Sequence, residues 1–408
     1  MTRPGFRASL VGAALSRVRS CGAASDRRRA PARQELASAL RGAFVGAELA
    51  SALRGAFVGA ELASALRGAG KLLPYTRALI VYALLVLALA AGAPSQQPPP
   101  PLTPPTDAEL PDGVTARAVT FWSEGVPCYG RIFYPRGFDP AAAEKTPGVV
   151  LANGWTGLAG TLERYGARFA ERGLVALAID YRGWGESGGF VTLAEPVRTD
   201  DRLRRTQTTA TVRIRRTRLL PGKQIEDIRN AISWLQGEPG VDRERIGLWG
   251  TSYAGGHVIA VAAIDARVKV GVAQVPAIGG RGVPEAAFAV EGALREDAVR
   301  RAREGRGAEW ETGFSRKLMI DAETRQAAAE YRPFHAVDEV PETVPILFVI
   351  AEKEELMSND DHARASAAAL RGPTKVVEIP GITHFEVYRG EAFEQGARAA
   401  ADWFLEHL

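Results

Sequence analysis

A serine flanked by glycines stands near the middle of the chain, in the run Gly247-Leu-Trp-Gly-Thr-Ser-Tyr-Ala-Gly-Gly256. Apolar residues lead into Ser252, and small residues follow it. This layout is typical of a sharp turn between a strand and a helix, which forces the serine outward and leaves room only for small neighbours. The new helix points free backbone N–H groups at a developing oxyanion. The run predicts a nucleophilic serine; the alternative is a glycine-rich turn with an incidental serine.

A nucleophilic serine needs a general base, and His384 is the candidate for that role. In enzymes that carry the serine on a strand-to-helix turn of this form, which this run resembles, the acid and then the histidine follow the serine along the chain. His384 comes after the predicted strand Lys375–Ile379 and a short Pro-Gly loop, where a side chain can reach over the strand ends. The other histidines are less suitable. His257 lies on the serine's own helix, and His335 precedes the candidate acid. His362 begins a helix after the acid loop, and His407 is at the C-terminus.

The elements that must position these side chains alternate between strand and helix from about Ala108 onward. The opening segments Ala118–Trp122 and Tyr129–Tyr134 predict a β-hairpin. Short apolar strands separated by amphipathic helices then predict a mostly parallel, doubly wound sheet covered on both faces, an α/β fold. The later predicted strands are Gly148–Ala152, Leu174–Ile179, Ile246–Trp249, Val268–Val275, Ile346–Ile350 and Lys375–Ile379, and the predicted helices are Thr161–Arg172, Gln224–Leu235 and Phe393–Leu408.

Two stretches interrupt this alternation. Val191–Lys223 carries eight arginines among threonines, and we interpret it as an excursion near the site with a solvated charged face. Residues 276–339 are rich in Ala, Arg and Glu with helical spacing, which predicts a helical cap inserted between strands. Phe288, Trp310 and Phe314 are its candidate pocket residues.

Four segments together make residues 115–408 resemble the α/β-hydrolase superfamily, in particular its dienelactone-hydrolase-like and acetylxylan-esterase-like members. They are Leu151–Trp155, Asp180–Ser187, Gly250–Gly256 and Gly381–Phe385. The resemblance implies an α/β-hydrolase fold with a helical cap. Ala254 departs from the commonest elbow, which has glycine there, and the form Gly-x-Ser-Tyr-x-Gly is closer to prolyl-peptidase and cocaine-esterase-like enzymes.

The resemblance also points to the acid. Family members usually have Gly-x-x-Asp after the strand that matches Ile346–Ile350, with an apolar residue two positions later. That register falls on Glu354, and a glutamate can orient an imidazole as an aspartate does. Glu355 and then Glu352 are the alternatives, and at least two of these three carboxylates belong to a solvated charged loop.

The oxyanion hole is expected to use two backbone N–H groups. One is that of Tyr253, directly after the serine. The other comes from the loop Asn153-Gly154-Trp155, which stands where the family has a His-Gly pair, and Trp155 is the chosen donor. The Trp155 side chain could equally form a wall of the acyl pocket or belong to the core.

The resemblance implies a serine hydrolase that cleaves a carboxylic ester, or a related acyl bond, of a small molecule through an acyl-enzyme. A small peptidase of the prolyl-peptidase type is one alternative, although no stretch before Trp155 is long enough for a propeller domain. A binding protein that kept the fold without activity is another, because fold alone does not prove activity. A haloalkane-type hydrolase is excluded, since it needs an aspartate where Ser252 stands.

Composition limits the partners. Residues 1–90 hold 13 Lys or Arg against 4 Asp or Glu, and the remainder holds 38 against 43, so the net charge of +4 comes from the N-terminus. The mildly acidic remainder gives no electrostatic case for nucleic acid. Cys21 and Cys128 are the two cysteines, too few for a disulfide framework or a cysteine metal site. No metal or organic cofactor is implied, and the sequence does not indicate an oligomeric state.

The N-terminal part differs from the rest. Glu35–Ala47 recurs identically as Glu48–Ala60, and we interpret residues 1–93 as a non-folding extension, the alternative being an Ala-rich helix. Within it, residues 71–93 combine a positive flank, an apolar run and small residues, which predicts a signal peptide and a secreted or periplasmic protein. An uncleaved N-terminal membrane anchor is the alternative. Six prolines in Gln96–Pro105 predict a stiff linker over residues 94–114.

Overall fold

A computed structural model of the chain describes residues 110–195, 197, 208–216, 218–279, 293–304 and 322–408. The predicted extension (1–93) lies outside these residues, and so does the linker up to residue 109. The same holds for Phe288, Trp310 and Phe314. In the part of the chain that is described, none of the helices has the length and apolar character needed to cross a bilayer.

Eight strands form one sheet in the order β1-β2-β4-β3-β7-β8-β9-β10. The first two strands form an antiparallel hairpin, β2 pairs antiparallel with β4, and every pair from β4 to β10 is parallel. The predicted hairpin and the mostly parallel sheet are therefore confirmed. The strands are β1 (Thr115–Ser123), β2 (Val126–Tyr134), β3 (Thr146–Ala152), β4 (Val175–Ile179), β7 (Val241–Thr251), β8 (Val268–Gln274), β9 (Ile346–Ala351) and β10 (Thr374–Ile379).

Helices cover both faces of the sheet. Strand β3 illustrates why: Val150 packs into the core on one face, and Val149 and Leu151 pack into the core on the other. Continuous apolar strands of this kind must be buried on both sides. Helices α2 and α3 cover the Val150 face, and α1 and α7 cover the opposite face. These helices are α1 (Ala159–Glu171), α2 (Pro221–Gln236), α3 (Tyr253–Ile264) and α7 (Gly390–His407).

The two stretches that interrupt the alternation form separate elements. The arginine-rich stretch contains an antiparallel hairpin outside the main sheet, β5 (Phe190–Leu193) with β6 (Val212–Arg215). Between β8 and β9 lie helices α4 (Ala293–Glu304) and α5 (Ala322–Glu330) and a 3-10 helix at Pro333–Glu339. Their role as a cap over a pocket stays a prediction.

A short helix follows the loop after β9. It begins with one π-helical turn at Asp360–Arg364 and continues as α6 (Ala365–Ala369). A 3-10 turn at Glu386–Tyr388 then precedes α7. The π-helical turn follows the carboxyl end of β9, and the 3-10 turn follows the carboxyl end of β10.

A buried arginine joins three of these elements. Arg182, in the loop after β4, has a side chain that is only 4% exposed, and its Nε donates to Asp227 Oδ1 of α2 over 2.7 Å. Its backbone N–H donates to the other oxygen of Asp227 over 2.9 Å. The guanidinium also donates to Ser123 Oγ at the end of β1 over 2.7 Å and pairs with Glu124. The hairpin, the β4 loop and α2 are thus held by one charged group.

Replacing Asp227 with asparagine tests this junction. The change leaves a buried guanidinium with less opposite charge, and breaking a buried ion pair in this way costs about 3 kcal/mol. We expect the free energy of unfolding of Asp227→Asn to fall by that amount in a urea titration followed by tryptophan fluorescence.

The matched control is Asp402→Asn, which removes the partner of Arg172 in a pair whose carboxylate side chain is 55% exposed. An exposed pair contributes about 0–1 kcal/mol, so the control should unfold almost as the wild type does. Equal small effects of both changes would contradict the role given to Arg182.

Candidate active site

Ser252 lies at the turn between β7 and α3, and its backbone is in the left-handed region, with φ of 53° and ψ of −119°. This conformation costs a non-glycine residue about 1–3 kcal/mol, and it persists only where the surroundings enforce it. Two backbone hydrogen bonds of 2.8 Å do so: the Ser252 N–H donates to the Gln274 carbonyl, and the Ala277 N–H donates to the Ser252 carbonyl. The elbow is therefore locked to the end of β8.

The glycines beside the serine are required by close packing. A Cβ at Gly250 would lie 2.3 Å from the carbonyl oxygen of Ala254, and a Cβ at Gly256 would lie 2.5 Å from that of Ala277. Both distances are far below van der Waals contact, so a larger residue would push the turn open. The spacing read in the sequence is thus the spacing that the turn requires.

The imidazole of His384 lies between Ser252 and a carboxylate. The Ser252 hydroxyl is 3.1 Å from His384 Nε2, and His384 Nδ1 is 3.0 and 2.9 Å from the two oxygens of Glu354. The side chains of His384 and Glu354 are 2% and 4% exposed. Because a carboxylate oxygen only accepts, Nδ1 carries the proton and Nε2 is left to accept from the serine. The structure therefore brings together the three residues that the sequence predicts.

The loop after β9 gives its three glutamates different tasks. Glu354 accepts from the imidazole, whereas Glu355 accepts the backbone N–H of His384 over 2.8 Å. Glu352 accepts the backbone N–H of Gly381, in the turn after β10. Glu352 and Glu355 are exposed. The two alternative acids thus contact the backbone of the histidine loop and leave the imidazole to Glu354.

The two predicted oxyanion donors flank the serine. Tyr253 is the first residue of α3, where a backbone N–H has no partner within the helix. The loop after β3 packs directly against Ser252. A Cβ at Gly154 would lie 2.8 Å from the Ser252 Cβ and 3.3 Å from its Oγ. The Trp155 ring stands edge-on to the Tyr253 ring, with centroids 5.0 Å apart. The backbone N–H groups of Tyr253 and Trp155 as oxyanion donors stay a prediction.

Asn153 fixes the position of this loop. Its side-chain amide donates to the Ile179 carbonyl at the end of β4 over 3.1 Å, and its Oδ1 accepts from the Thr161 hydroxyl of α1 over 2.9 Å. Its backbone carbonyl accepts from the buried hydroxyl of Tyr181 over 3.1 Å. The peptide that passes over Ser252 is thus held from three sides.

The other histidines are engaged elsewhere. His257 is fully buried in α3, where its Nε2–H donates to Gln224 Oε1 over 3.0 Å and its Nδ1 accepts from the Tyr331 hydroxyl over 2.7 Å. Burial lowers the pKa of His257 to about 3, so its imidazole is neutral at neutral pH. His335 is exposed on the 3-10 helix before β9, and His407 lies at the end of α7.

His362 and a buried polar chain were missed by the sequence reasoning. The Gln274 amide donates to the Tyr165 hydroxyl over 2.8 Å, and the hydroxyls of Thr251 and Tyr388 are 2.7 Å apart. Thr251 and Gln274 are the last residues of β7 and β8. A polar residue at the end of an apolar strand is the sequence signal that could have indicated this buried chain. For His362, the sequence shows only a position at the start of a helix after the acid loop, which does not indicate its contacts.

Within the described residues, no group of three or more His, Cys, Asp or Glu could hold a metal ion. Cys128 is buried in the core, and burial raises the pKa of its thiol to about 12, far from the range of a reactive thiolate. The chemistry that the described site supports is nucleophilic attack by Ser252 with His384 as the base.

Curated proteins are similar to part of this chain. An uncharacterised 31.7 kDa protein of Escherichia coli is 27% identical over 301 residues, which cover 66% of this chain and 94% of the relative. The quorum-quenching protein AidA of Acinetobacter baumannii is 24% identical over 324 residues, 71% of this chain and 94% of the relative. The thiohydrolase aneE of Aspergillus aculeatus is 29% identical over 156 residues, 38% of this chain and 39% of the relative.

Solved structures share the fold. A hypothetical protein from Pseudomonas aeruginosa superimposes with a TM-score of 0.56 at 22% identity, covering 73% of this chain and 95% of that one. The α/β hydrolase GrgF from Penicillium superimposes with a TM-score of 0.54 at 19% identity, covering 72% of this chain and 99% of that one. The predicted α/β-hydrolase fold is confirmed.

Residues 125–344 match the family model described as X-Pro dipeptidyl-peptidase (S15 family). The matched segment contains the elbow of Ser252 and the loop of Asn153, while Glu354 and His384 lie beyond its end. Since the match spans more than half of the chain, the protein belongs to the X-Pro dipeptidyl-peptidase S15 family of α/β hydrolases.

Proposed function

We propose that the protein is a serine hydrolase that cleaves a carboxylic ester, or a related acyl bond, of a small molecule through a Ser252–His384–Glu354 triad. The observation that carries the proposal is the placement of the His384 ring, with Nε2 3.1 Å from the serine oxygen and Nδ1 2.9 Å from the nearer glutamate oxygen. The burial of the His384 and Glu354 side chains keeps their hydrogen bond in a low-dielectric setting, where it acts most strongly.

Acylation follows from this geometry. His384 Nε2 takes the hydroxyl proton as Ser252 Oγ bonds to the substrate carbonyl carbon, and the carbonyl electron pair moves onto oxygen. The N–H groups of Tyr253 and Trp155 hold that oxyanion, and Glu354 stabilises the imidazolium. The tetrahedral species then expels the leaving group, which receives the proton from Nε2, and an acyl-serine remains.

Deacylation repeats the sequence with water. His384 removes a proton from a water molecule, whose oxygen attacks the acyl-serine carbonyl, and the second tetrahedral species releases Ser252 with the proton from Nε2. The product is a carboxylic acid. Each step uses the side chains and the backbone N–H groups named above, with water as the second substrate.

The names of the relatives support an acyl bond in a small molecule. One relative is a thiohydrolase and another is a quorum-quenching protein. A thioester carbonyl reacts by the same two steps as an ester carbonyl, with a thiol as the leaving group. Thioesters therefore belong to the related acyl bonds in the proposal.

A peptidase is the second candidate, and the family description favours it. Amide cleavage uses the same triad, with an amine that must be protonated by His384 as it leaves. The difference lies in the groups that bind the substrate around the triad, which the family match does not assign. Substrate comparison therefore decides between the two.

Replacing Ser252 with alanine is the first test. The variant lacks the attacking oxygen, so we expect its kcat on p-nitrophenyl esters to fall by about 10⁵-fold or more and its labelling by a fluorophosphonate probe to disappear. Rates and in-gel fluorescence measure the two effects. Equal labelling of wild type and Ser252→Ala would end the serine-hydrolase proposal.

Replacing Glu354 and Glu355 separately with glutamine tests the acid. Glu354→Gln removes the charge that orients and stabilises the imidazolium, and we expect kcat to fall by about 10³–10⁴-fold. Glu355→Gln is the matched control, because it alters a neighbouring carboxylate that accepts only a backbone N–H of the histidine loop. We expect it to lose about tenfold or less. A larger loss at Glu355 than at Glu354 would reverse the assignment.

A comparison of leaving groups separates esterase from peptidase. The wild type should hydrolyse p-nitrophenyl esters and the matching thioesters with a kcat/KM at least 10³-fold above that for dipeptidyl X-Pro p-nitroanilides. Release of nitrophenol, thiol or nitroaniline is followed by absorbance. A preference for the X-Pro anilides would favour the peptidase instead.

A further inference from the structure

A cavity of about 170 Å³ adjoins the elbow. Tyr253 and Ala277 form its wall on the serine side, since one follows Ser252 in the chain and the other donates its backbone N–H to the Ser252 carbonyl. Most of the remaining lining is apolar, with Ile278, Pro333 and Phe334 among its members, and Arg332, His335 and His362 are its charged or polar members besides the two tyrosines. An apolar cavity of about 150 Å³ is large enough to hold benzene. This one therefore suits a compact hydrocarbon group.

His362 brings a defined hydrogen-bond donor to this cavity. Its Nδ1 accepts from the backbone N–H groups of Ile278 and Gly279 over 3.0 and 2.9 Å. An accepting Nδ1 in a neutral ring places the proton on Nε2. Burial lowers the pKa of His362, which keeps the ring neutral at neutral pH. The cavity thus has a wall residue with an Nε2–H that is fixed in its tautomer.

The backbone around His362 is unusual. The residue lies in the single π-helical turn Asp360–Arg364, and its carbonyl accepts from the Ser366 hydroxyl over 2.7 Å. Such turns occur often at functional sites, because they redirect side chains that a regular helix would place elsewhere. Here the turn sets the imidazole against residues 278–279, at the edge of the cavity.

A second polar group stands in the same wall. Tyr253 lines the cavity, and its buried hydroxyl has no hydrogen-bond partner among the residues that the structure describes. By contrast, the hydroxyl of Tyr331, also a wall residue, is bonded to His257. Buried polar groups are nearly always paired in proteins. The unpaired Tyr253 hydroxyl is therefore an exception among the buried polar groups around the cavity.

The placement of the triad indicates which part of the substrate would enter. The leaving group must lie against His384 Nε2 to receive its proton, and no residue of the His384 loop lines the cavity. The acyl group, which stays bonded to Ser252, is the part left to occupy the Tyr253 side.

We propose that this cavity binds the acyl group, and that His362 selects acyl groups carrying an oxygen atom that accepts a hydrogen bond from its Nε2–H. The substrate class is then a compact, mostly hydrocarbon acyl chain with a carbonyl or hydroxyl along it. This inference rests on the proposed hydrolase function, and His362 acts in it as a specificity-determining residue.

Two substitutions separate binding from structural support. In His362→Asn, the amide oxygen can take the place of Nδ1 and accept from residues 278–279, but nothing replaces the distal donor. In His362→Gln, the amide nitrogen can stand near the position of Nε2 and donate. A role limited to holding the backbone predicts that asparagine is the better substitute, whereas substrate selection predicts that glutamine is.

The measurement is the ratio of kcat/KM for p-nitrophenyl 4-oxohexanoate or 5-oxohexanoate to kcat/KM for p-nitrophenyl hexanoate. We expect a wild-type ratio of about tenfold for at least one keto ester. It should fall to near one in His362→Asn and stay at several-fold in His362→Gln. His407→Gln, at the far end of α7, is the matched control and should keep the wild-type ratio. Circular dichroism and fluorophosphonate labelling check that each variant is folded.

The outcomes are distinguishable. If the wild type hydrolysed the hexanoate normally but showed a ratio near one, or if His362→Asn kept the full ratio, the selection by His362 would be overturned. The proposed hydrolase function would still stand. If the wild type hydrolysed no ester and Ser252 took no label, the proposed function itself would fall, and this inference with it.

Discussion

The strained backbone of Ser252 is the constraint on which the site depends. A serine at φ of 53° is unfavourable by itself, so the neighbouring structure must hold it there. The sheet does so through the hydrogen bonds that join Ser252 to Gln274 and Ala277, at the end of β8. Because β7 and β8 are buried on both faces, the turn cannot relax without disrupting the core. The stability of the sheet centre thus maintains the position of the Ser252 hydroxyl.

The same sheet brings the remaining groups to the serine. Parallel strands end at one edge, and the loops after β3, β9 and β10 therefore meet there. Each loop is then anchored by its own polar contacts: Asn153 to β4 and α1, and Glu352 and Glu355 to the backbone around His384. The Asp180 carboxylate, directly after β4, accepts the backbone N–H groups of Ala159 and Glu186, and so connects the start of α1 to the loop after β4. Fixed loops leave the imidazole little freedom, as proton transfer in a preorganised site requires.

Local patterns in the sequence were enough to predict the α/β sheet, Ser252 and His384, whereas the choice of Glu354 came from the resemblance to the α/β hydrolases. The elbow has a spacing that sterics dictate, and the order of serine, acid and histidine follows from the fold. The separate tasks of Glu352 and Glu355 were beyond such reasoning, because they depend on which carboxylate meets the backbone of a loop 29 residues away. His362 was missed for a similar reason: its significance lies in a long-range contact with residues 278–279 and in a π-helical turn that no spacing rule indicates.

Chemistry and selectivity occupy different parts of this molecule. The triad residues come from the ends of sheet strands, which the whole superfamily fold supplies, and so they say little about the substrate. Apart from Tyr253, the cavity wall comes instead from the segment after β8, from α5 and the stretch between it and β9, and from the π-helical turn. These connections can change without disturbing the sheet that holds the serine. Family membership therefore constrains the reaction more strongly than the substrate. For the same reason, a peptidase family name is compatible with the proposed acyl cavity and its His362 donor in one chain.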